Sequence, residues 1–489
     1  MLAIASRALY PCHFNNGVFR WDGDFNVRWS AYYTFFNQRA INNHWLTANH
    51  MEMIRPHLDH ILRIVPQLLS DTHEICGLEG LKFPEAFCWD GTGMYDTPNN
   101  YTGRIYHDVF ENSLLLYQYA IHNHDMEFLR EKCYPFMREG VRFYCNRLRY
   151  DGEYYHMHDS NSLEMYWDVK DPITDLTSIR VLFPIFIRLC TEYGDDPALC
   201  QKAKHVLAHI APLETAEKDG ALVYLPCASP VPEWKNLQNP EMEMMFPMGY
   251  VGIDSPDADL ARDTWVRRNF DYTIWSPDAA AAARLGMGDV AYDGIAHMCF
   301  LHQIRASGFH DDGNGAFESN GLVTCAVNEM LLQSYDETIR VFPALPSNPN
   351  FQASFTLHAM GGFLVTSEYR NQQVQYVEIR SEYGEPLKIH NPWGEERVRL
   401  ICCTGEPHEI LVTNAKMICA GTLPDHVYIL ERISNPISGM QFTVKKGIPN
   451  HEPRHLHDFH PGANDPSKRA YYRWKTSPDL VRTLGYDAE

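Results

Sequence analysis

Four polar stretches of the sequence place acidic side chains beside aromatic or apolar residues. They are FPEAFCWDG (83–91), NSLEMYWDVKDPITD (161–175), NLQNPEMEMMFPMGY (236–250) and HDDGNGAFESNG (310–321). Aromatic ring faces can stack on the C–H surface of a sugar while carboxylates bind its hydroxyl groups, so such clusters are typical of sugar pockets. We therefore expect a pocket lined by Glu85, Trp89, Asp90, Glu164, Trp167, Asp168 and Asp312.

Glu241 is a candidate acid catalyst. It follows an Asn-Pro turn and precedes a run rich in Met and Phe. Apolar surroundings raise the pKa of a carboxyl group, and a general acid must stay protonated near neutral pH. Glu243 competes for the same role, and both glutamates could instead lie at the rim of a Met-lined core.

A second pair of candidate groups, Glu318 and Asn320, precedes a helix that the apolar spacing predicts over Val323–Ser334. Backbone N–H groups at the start of a helix are unpaired and favour anionic ligands. The nearby DDGNG run lacks the spacing of a calcium-binding EF-hand, and the histidines of the C-terminal tail do not match a zinc site. Phosphate-binding and dinucleotide-binding motifs are also missing from the sequence. We expect neither a metal nor a cofactor.

Two of these stretches also have purely structural interpretations. Glu85 could cap a helix beside a buried cluster of Phe and Trp residues. Asp175 follows an Asp-Pro pair and precedes an apolar run, so it is expected to serve as the N-cap of the next helix.

Composition and charge exclude several classes of protein. The 489 residues include 62 acidic and 42 basic side chains, a net charge of −20. This balance argues against nucleic acid or an anionic membrane as partner and fits a neutral small molecule or sugar. The sequence has no apolar run long enough to span a membrane and no secretory signal. The 13 cysteines are scattered without a disulfide framework, which favours a reducing, cytoplasmic location.

The predicted secondary structure changes from helices to strands near Pro346. Residues 26–335 show about ten helical segments in pairs, joined alternately by short turns and by long polar loops. This pattern predicts a ring of inner and outer helices; an α-solenoid is the alternative, but a fixed repeat period is missing. Later segments alternate apolar and polar residues, as in a small antiparallel β-sandwich. The predicted domains are residues 1–338, 339–440 and an irregular tail, 441–489.

The segment NEMLLQSYDETIRVFPALP (328–346) and, after a spacer, GGFLVTSEYRNQQVQYVEIRS (361–381) resemble glycoside hydrolase family 95. The resemblance implies an (α/α)6 barrel followed by a β-sandwich, and an inverting α-L-fucosidase or α-L-galactosidase activity. Glu318 falls on the family's catalytic aspartate, and Asn320 on the asparagine that follows it. Glu241, in NPE, matches the general acid.

FNQRAINNHW (36–45) resembles the family segment whose asparagines orient the attacking water. Asn37 matches the first asparagine, whereas Arg39 replaces the second. A fixed cation there would suit an anionic sugar such as a uronate, or would pair with Glu318. The resemblance therefore implies catalysis by Glu241, Glu318 and Asn37, with Arg39 and Asn320 among the substrate contacts.

FNNGVF, FPE and LEMYWDVKDP are more similar to uncharacterised bacterial proteins of glycosyl hydrolase type. Those relatives carry a β-rich N-terminal domain, so this chain is expected to begin partway through the barrel. Its substrate is expected to be an oligosaccharide or glycoside, and a homo-oligomer is left open. Two other functions compete: a sugar-binding or scaffold protein without catalysis, and a polysaccharide lyase that uses Tyr33, His107 and Arg39.

Overall fold

The computed structural model describes residues 11–13, 33–93, 95, 102–228, 236–270, 276–299 and 318–437. Helices dominate the described chain as far as residue 331, and strands follow from residue 332 to 432. The predicted order of a helical domain before a β-rich region is therefore confirmed. The closed ring, the sandwich and the domain boundaries stay predictions, and the predicted tail and Asp312 lie outside the described residues.

The helices of the described chain carry the residues of interest on α1, α4 and the last helix. They are α1 (Phe35–Asn42), α2 (Met51–Arg63), α3 (Val65–Cys76), α4 (Asp108–His122), α5 (Met126–Phe128), α6 (Tyr134–Arg147), α7 (Ile173–Tyr193), α8 (Pro197–Ala208), α9 (Ala258–Val266), α10 (Asp278–Arg284), α11 (Gly288–His297) and α12 (Glu318–Leu331). A π-helical turn, Leu129–Cys133, joins α5 to α6, and a 3-10 turn spans Pro240–Met244.

Local sequence explains the α7–α8 hairpin. Helix α7 ends at Gly194, whose φ of 64° lies in the left-handed region that glycine adopts without strain. Helix α8 begins with Pro197, and the side chain of Asp196 accepts a hydrogen bond of 3.0 Å from the backbone N–H of Leu199. This stop and start signal lies in the sequence itself.

Two helical predictions need correction. Residues 50–75 read as one continuous helix but form α2 and α3, which are separated at Ile64. Pro66 lacks a backbone N–H and restricts the residue before it, so the chain restarts as a new helix there. Asp175 is not an N-cap: it lies inside α7, where its carboxylate accepts hydrogen bonds from the hydroxyls of Tyr144 and Ser160.

Short strands lie in the loops of the helical region. A short pair and then longer strands follow α12. The short strands are β1 (Tyr33–Thr34), β2 (Ala86–Phe87), β3 (Arg149–Tyr150), β4 (Tyr155–His156), β5 (Ser160–Ser162), β6 (Tyr166–Val169), β7 (Thr215–Lys218), β8 (Ala221–Tyr224), β9 (Leu332–Gln333) and β10 (Arg340–Val341). The longer ones are β11 (Ala353–Ala359), β12 (Phe363–Arg370), β13 (Gln373–Ser381), β14 (Leu387–His390), β15 (Val398–Cys402), β16 (His408–Thr413), β17 (Met417–Ala420) and β18 (His426–Arg432).

The β-rich region contains a six-stranded antiparallel sheet in the order β11-β12-β13-β18-β15-β16. Strands β14 and β17 form a separate pair. Alternate residues of β12, such as Phe363 and Val365, are buried in an apolar core, as the period of two predicts. Strands β11 and β17 were not predicted from the sequence.

The helical region buries two apolar cores, one among α2–α8 and one around the turn Pro240–Met244, α10 and α12. Within the described residues, none of the helices is both long enough and apolar enough to cross a membrane.

Candidate active site

Helices α1 and α12 run side by side in close contact and bring two predicted catalytic residues together. A Cβ atom added at Gly321 of α12 would lie 2.0 Å from the carbonyl oxygen of Ala40 on α1, so only glycine permits this approach. Three residues before each of these contact points, the side-chain amide of Asn37 donates a hydrogen bond to Oε1 of Glu318. The pair is separated by 281 positions in the chain.

The amide of Asn37 is held in one orientation. The hydroxyl of Thr34 lies 2.6 Å from Oδ1 of Asn37 and donates to it. Because the amide oxygen is occupied in this way, the NH₂ group faces Glu318. The arrangement leaves the carboxylate of Glu318 4% exposed and fixed by a neutral donor.

The start of α12 differs from the prediction. Glu318 and Asn320 were expected in a loop ahead of a helix beginning at Val323, but Glu318 is the first residue of the helix and Asn320 lies in its first turn. Gly321 lies within this helix although glycine disfavours helices. Its packing against Ala40 outweighs that preference. The Nδ2 atom of Asn320 is buried without a hydrogen-bond partner among the described residues.

Glu241 lies buried in the 3-10 turn, next to methionines in the sequence. Met242, Met244 and Met245 are fully buried beside it. Burial raises the pKa of Glu241 to about 7, while the charge of Lys218 opposes the shift. A carboxyl group with this pKa is about half protonated at neutral pH, so it can supply the proton that a general acid must donate.

Glu243, the competitor in the same turn, has a different environment. Both of its oxygens accept hydrogen bonds from Arg39, at 2.5 and 2.6 Å. Nη1 of Arg39 also lies 2.6 Å from both carboxylate oxygens of Glu111 on α4. All three side chains are at least 94% buried. Arg39 therefore pairs with Glu111 and Glu243. The sequence had suggested a pair between Arg39 and Glu318 instead.

Glu85 caps α1 from a distant loop, as its structural interpretation predicted. Its backbone oxygen accepts from the N–H of Phe35 at 2.6 Å, and its Oε1 from the N–H of Phe36 at 3.1 Å. Two later residues of the loop, Trp89 and Asp90, lie at the surface. Trp89 is 59% exposed, and the carboxylate of Asp90 accepts from the backbone N–H of Thr92 in a surface turn.

The β5–β6 hairpin carries three predicted substrate contacts, of which Glu164 and Trp167 are partly buried and Asp168 is exposed. Oε2 of Glu164 accepts from Asn236 at 2.6 Å, which attaches the hairpin to the segment that precedes Glu241. Burial raises the pKa of Glu164 to about 7, while the hydrogen bond from Asn236 opposes the shift. The indole N–H of Trp167 donates to the backbone oxygen of Glu164. Asp168 is exposed and pairs with Arg104.

The structure thus divides the predicted site residues. Asn37 and Glu318 are in contact, and the charges of Arg39 and Glu164 each act on Glu85. Trp89, Asp90 and Asp168 lie at the surface. Sequence reasoning missed Glu111 and Asp108 on α4, because a helix that is buried on all sides has no polar face from which inward acids could be recognised.

His107 does not offer the base that a lyase needs. Although burial lowers its pKa, the hydrogen bond to Glu111 and the charges of neighbouring carboxylates raise it to about 9. The imidazole is therefore a cation at neutral pH. Arg39, which would neutralise a uronate carboxylate, is occupied by Glu111 and Glu243.

Two further features lie apart from these residues. A cavity of about 720 Å³ opens where α4 meets the β-rich region, lined in part by Tyr117, Arg188 and Glu337. None of the predicted site residues that the structure describes lines it. Within the same described ranges, His, Cys, Asp and Glu side chains form no group that could hold a metal ion.

Comparison with known proteins identifies the class. The sequence profile described as "Glycosyl hydrolase family 95 catalytic domain" matches residues 16–331, which end with the last residue of α12. The chain is thus a member of the glycosyl hydrolases. It belongs to family 95, as the resemblance predicted.

Among solved structures, the chain is similar to a protein assigned as a kojibiose phosphorylase from the human microbiome. The TM-score is 0.57 at 11% identity, covering 85% of this chain and 63% of that one, so the chain spans less than two thirds of that protein's length. The likeness concerns the fold. A GH127 β-L-arabinofuranosidase from Geobacillus stearothermophilus T6 matches with a TM-score of 0.28 at 11% identity, covering 81% and 75% of the two chains. Among curated proteins, none matches.

Proposed function

We propose that the chain is an exo-acting, inverting glycoside hydrolase that removes a terminal sugar from an oligosaccharide. The observation that carries the proposal is the contact between Asn37 and Glu318. It joins, across the close packing of α1 and α12, the two positions that match the water-orienting asparagine and the catalytic base of the family. Membership of family 95 supports the reaction class.

Glu241 acts as the general acid in this proposal. It donates its proton to the glycosidic oxygen as the bond to the leaving group breaks. Burial among methionines supports the role because it raises the pKa of Glu241 to about 7. Burial also raises the pKa of Glu243 to about 7, against the charge of Arg39, so the pKa does not separate the two glutamates. Glu243 is the poorer candidate because Arg39 binds both of its oxygens, which leaves neither free to donate to a substrate.

Glu318 acts as the base. It removes a proton from a water molecule that attacks the anomeric carbon on the face opposite the leaving group, and Asn37 helps to orient that water. Inversion requires the two carboxyl groups to stand about 6.5–9.5 Å apart, with room for the water between them. Asn320 is proposed to bind the sugar through its buried Nδ2.

The environment of Arg39 favours a neutral terminal sugar over a uronate. Its guanidinium is already bound by two carboxylates, so it cannot neutralise a third without breaking a buried pair. Glu164, Trp167 and Asp312 are proposed to contact the terminal sugar. The exposed Trp89, Asp90 and Asp168 are proposed to contact the rest of the oligosaccharide.

A sugar-binding protein without catalysis is the second candidate. Arg39 replaces the second water-orienting asparagine of the family pattern, and its ion pairs prevent it from taking over that role. Such a protein would bind the sugar at the same residues but would leave the glycosidic bond intact.

Turnover of a panel of aryl glycosides and oligosaccharides, with the anomeric form of the product followed by NMR, separates the two candidates. Glu241→Gln and Glu318→Gln are each expected to lower kcat by about 10²–10⁴-fold. Glu395→Gln, an exposed change in the β-rich region, is the matched control and should retain full activity. Retained configuration, or near-normal kcat in either amide variant, would refute the mechanism, and binding without turnover by the unaltered protein would favour the second candidate.

A further inference from the structure

Asp108 is a fully buried carboxyl group that lies beside another acid, Glu85. It is the first residue of α4 and has no exposed surface. Within the described residues, neither of its oxygens receives a hydrogen bond from an N–H or O–H donor. Its side chain lies within hydrogen-bonding reach of the carboxyl group of Glu85. A buried carboxylate without a hydrogen-bond donor is costly, and protonation lowers that cost because the neutral carboxyl group can itself donate to a neighbouring acid.

Glu85 connects this pair to α1. Its backbone and side-chain oxygens accept from the first two backbone N–H groups of that helix, at 2.6 and 3.1 Å. The residue that follows these two is Asn37, whose amide contacts Glu318. The position of the Glu85 carboxyl group therefore determines where the start of α1 lies relative to α12.

The cations near the pair are shared with other carboxylates. His107, the residue before α4, has its Nε2 3.9 Å from Oδ1 of Asp108 but closer to Glu111, at 3.2 Å. Glu111 lies on α4, Arg39 comes from α1, Glu243 from the 3-10 turn, and Glu164 from the β5–β6 hairpin. The positive charges of His107 and Arg39 are engaged by Glu111 and Glu243.

Two ionised carboxylates in contact inside a protein repel each other strongly, whereas one shared proton turns the contact into a hydrogen bond. The start of α1 and the start of α4 both meet at the pair, and helix N-termini stabilise the single negative charge that remains. Burial raises the pKa of Asp108 to about 7, and burial together with the charge of Asp108 raises that of Glu85 well above its usual value.

We propose that Glu85 and Asp108 share one proton, and that the protonated pair positions α1 so that Asn37 meets Glu318. Both are positioning residues rather than catalytic ones. The link to hydrolysis rests on the proposed function, in which Glu318 is the base. The shared proton itself does not depend on that function.

Thermal unfolding as a function of pH tests the shared proton. Because the pKa of Asp108 is higher in the folded state than in the unfolded chain, its contribution to stability is complete below about pH 4 and is lost as the pH rises through about 7. Asp108→Asn donates to Glu85 without a titrating proton. We expect the Tm of the unaltered protein to fall between pH 5 and pH 8 by about 2–4 °C more than that of the variant.

Asp259→Asn is the matched control for this measurement. It makes the same chemical change at a side chain that is 94% exposed, and its Tm should follow the unaltered protein at every pH. Parallel curves for Asp108→Asn and the unaltered protein would overturn the shared proton. This measurement needs no substrate, so it decides the question even for a protein that hydrolyses nothing.

Steady-state kinetics test the positioning. Glu85→Ala removes the side-chain cap of α1 and should lower kcat by about 10–100-fold with little change in KM. Glu85→Gln keeps an oxygen for Phe36 and an N–H for Asp108, so it should restore most of the lost kcat. Equal losses in both variants would overturn the positioning role. Absence of hydrolysis by the unaltered protein would refute the proposed function and leave the thermal result valid.

Discussion

Gly321→Ala offers a direct test of the packing that assembles the candidate active site. The new Cβ would lie 2.0 Å from the carbonyl oxygen of Ala40 and 2.9 Å from the Cα of Ile41. A carbon–oxygen contact normally measures about 3.3 Å or more, so the two backbones must separate by about 1.3 Å at this point. Asn37 and Glu318 lie one turn away on the same helices and are expected to move apart with them.

The sign of the change in the free energy of unfolding distinguishes a tightly packed Gly321 from an ordinary helical glycine. In a helix without tertiary contacts, replacing glycine by alanine stabilises by about 1 kcal/mol. Overpacking a buried contact costs about 1–3 kcal/mol. We therefore expect a net loss in the free energy of unfolding of up to about 2 kcal/mol. A displacement of about 1 Å between catalytic groups can lower kcat by about 10²-fold.

The assay compares kcat, KM and the free energy of unfolding in denaturant for Gly321→Ala and a matched control. Gly421→Ala is that control, because a Cβ there would meet no atom within 4 Å. It should leave kcat and stability nearly unchanged. A Gly321→Ala variant that is more stable than the unaltered protein, with normal kcat, would refute the argument that α1 and α12 need this glycine.

Two further predictions concern buried charges. Arg39→Met leaves the carboxylates of Glu111 and Glu243 buried without their cation, so the free energy of unfolding should fall by about 3–5 kcal/mol. Arg55→Met removes a half-exposed surface pair and should cost at most about 1 kcal/mol, and equal losses in denaturant unfolding would contradict the assignment. For unactivated substrates, kcat/KM should fall about tenfold per pH unit above about pH 7, where Glu241 of the free protein loses its proton. Substrates with an activated leaving group should not show this fall, and a flat profile for both would exclude Glu241 as the acid.

The sequence alone determined the elements whose signals are local. The helical segment predicted over residues 174–194 matches α7 within one residue at each end, because its apolar period lies within the segment itself. The alternation of apolar residues likewise predicted β12 and β18, since the period of two arises from backbone geometry. Motif resemblance indicated the family and pointed to Asn37 and Glu318.

Only the tertiary structure decided how the charged residues are paired. Arg39 binds Glu111 and Glu243, which lie 72 and 204 positions further along the chain, and local periodicity does not encode contacts at such separations. The helical conformation of Gly321 follows from its contact with α1, which outweighs its intrinsic preference. The burial that raises the pKa of Glu241 exists only once distant parts of the chain have packed around it. The same packing brings Glu85 and Asp108 together.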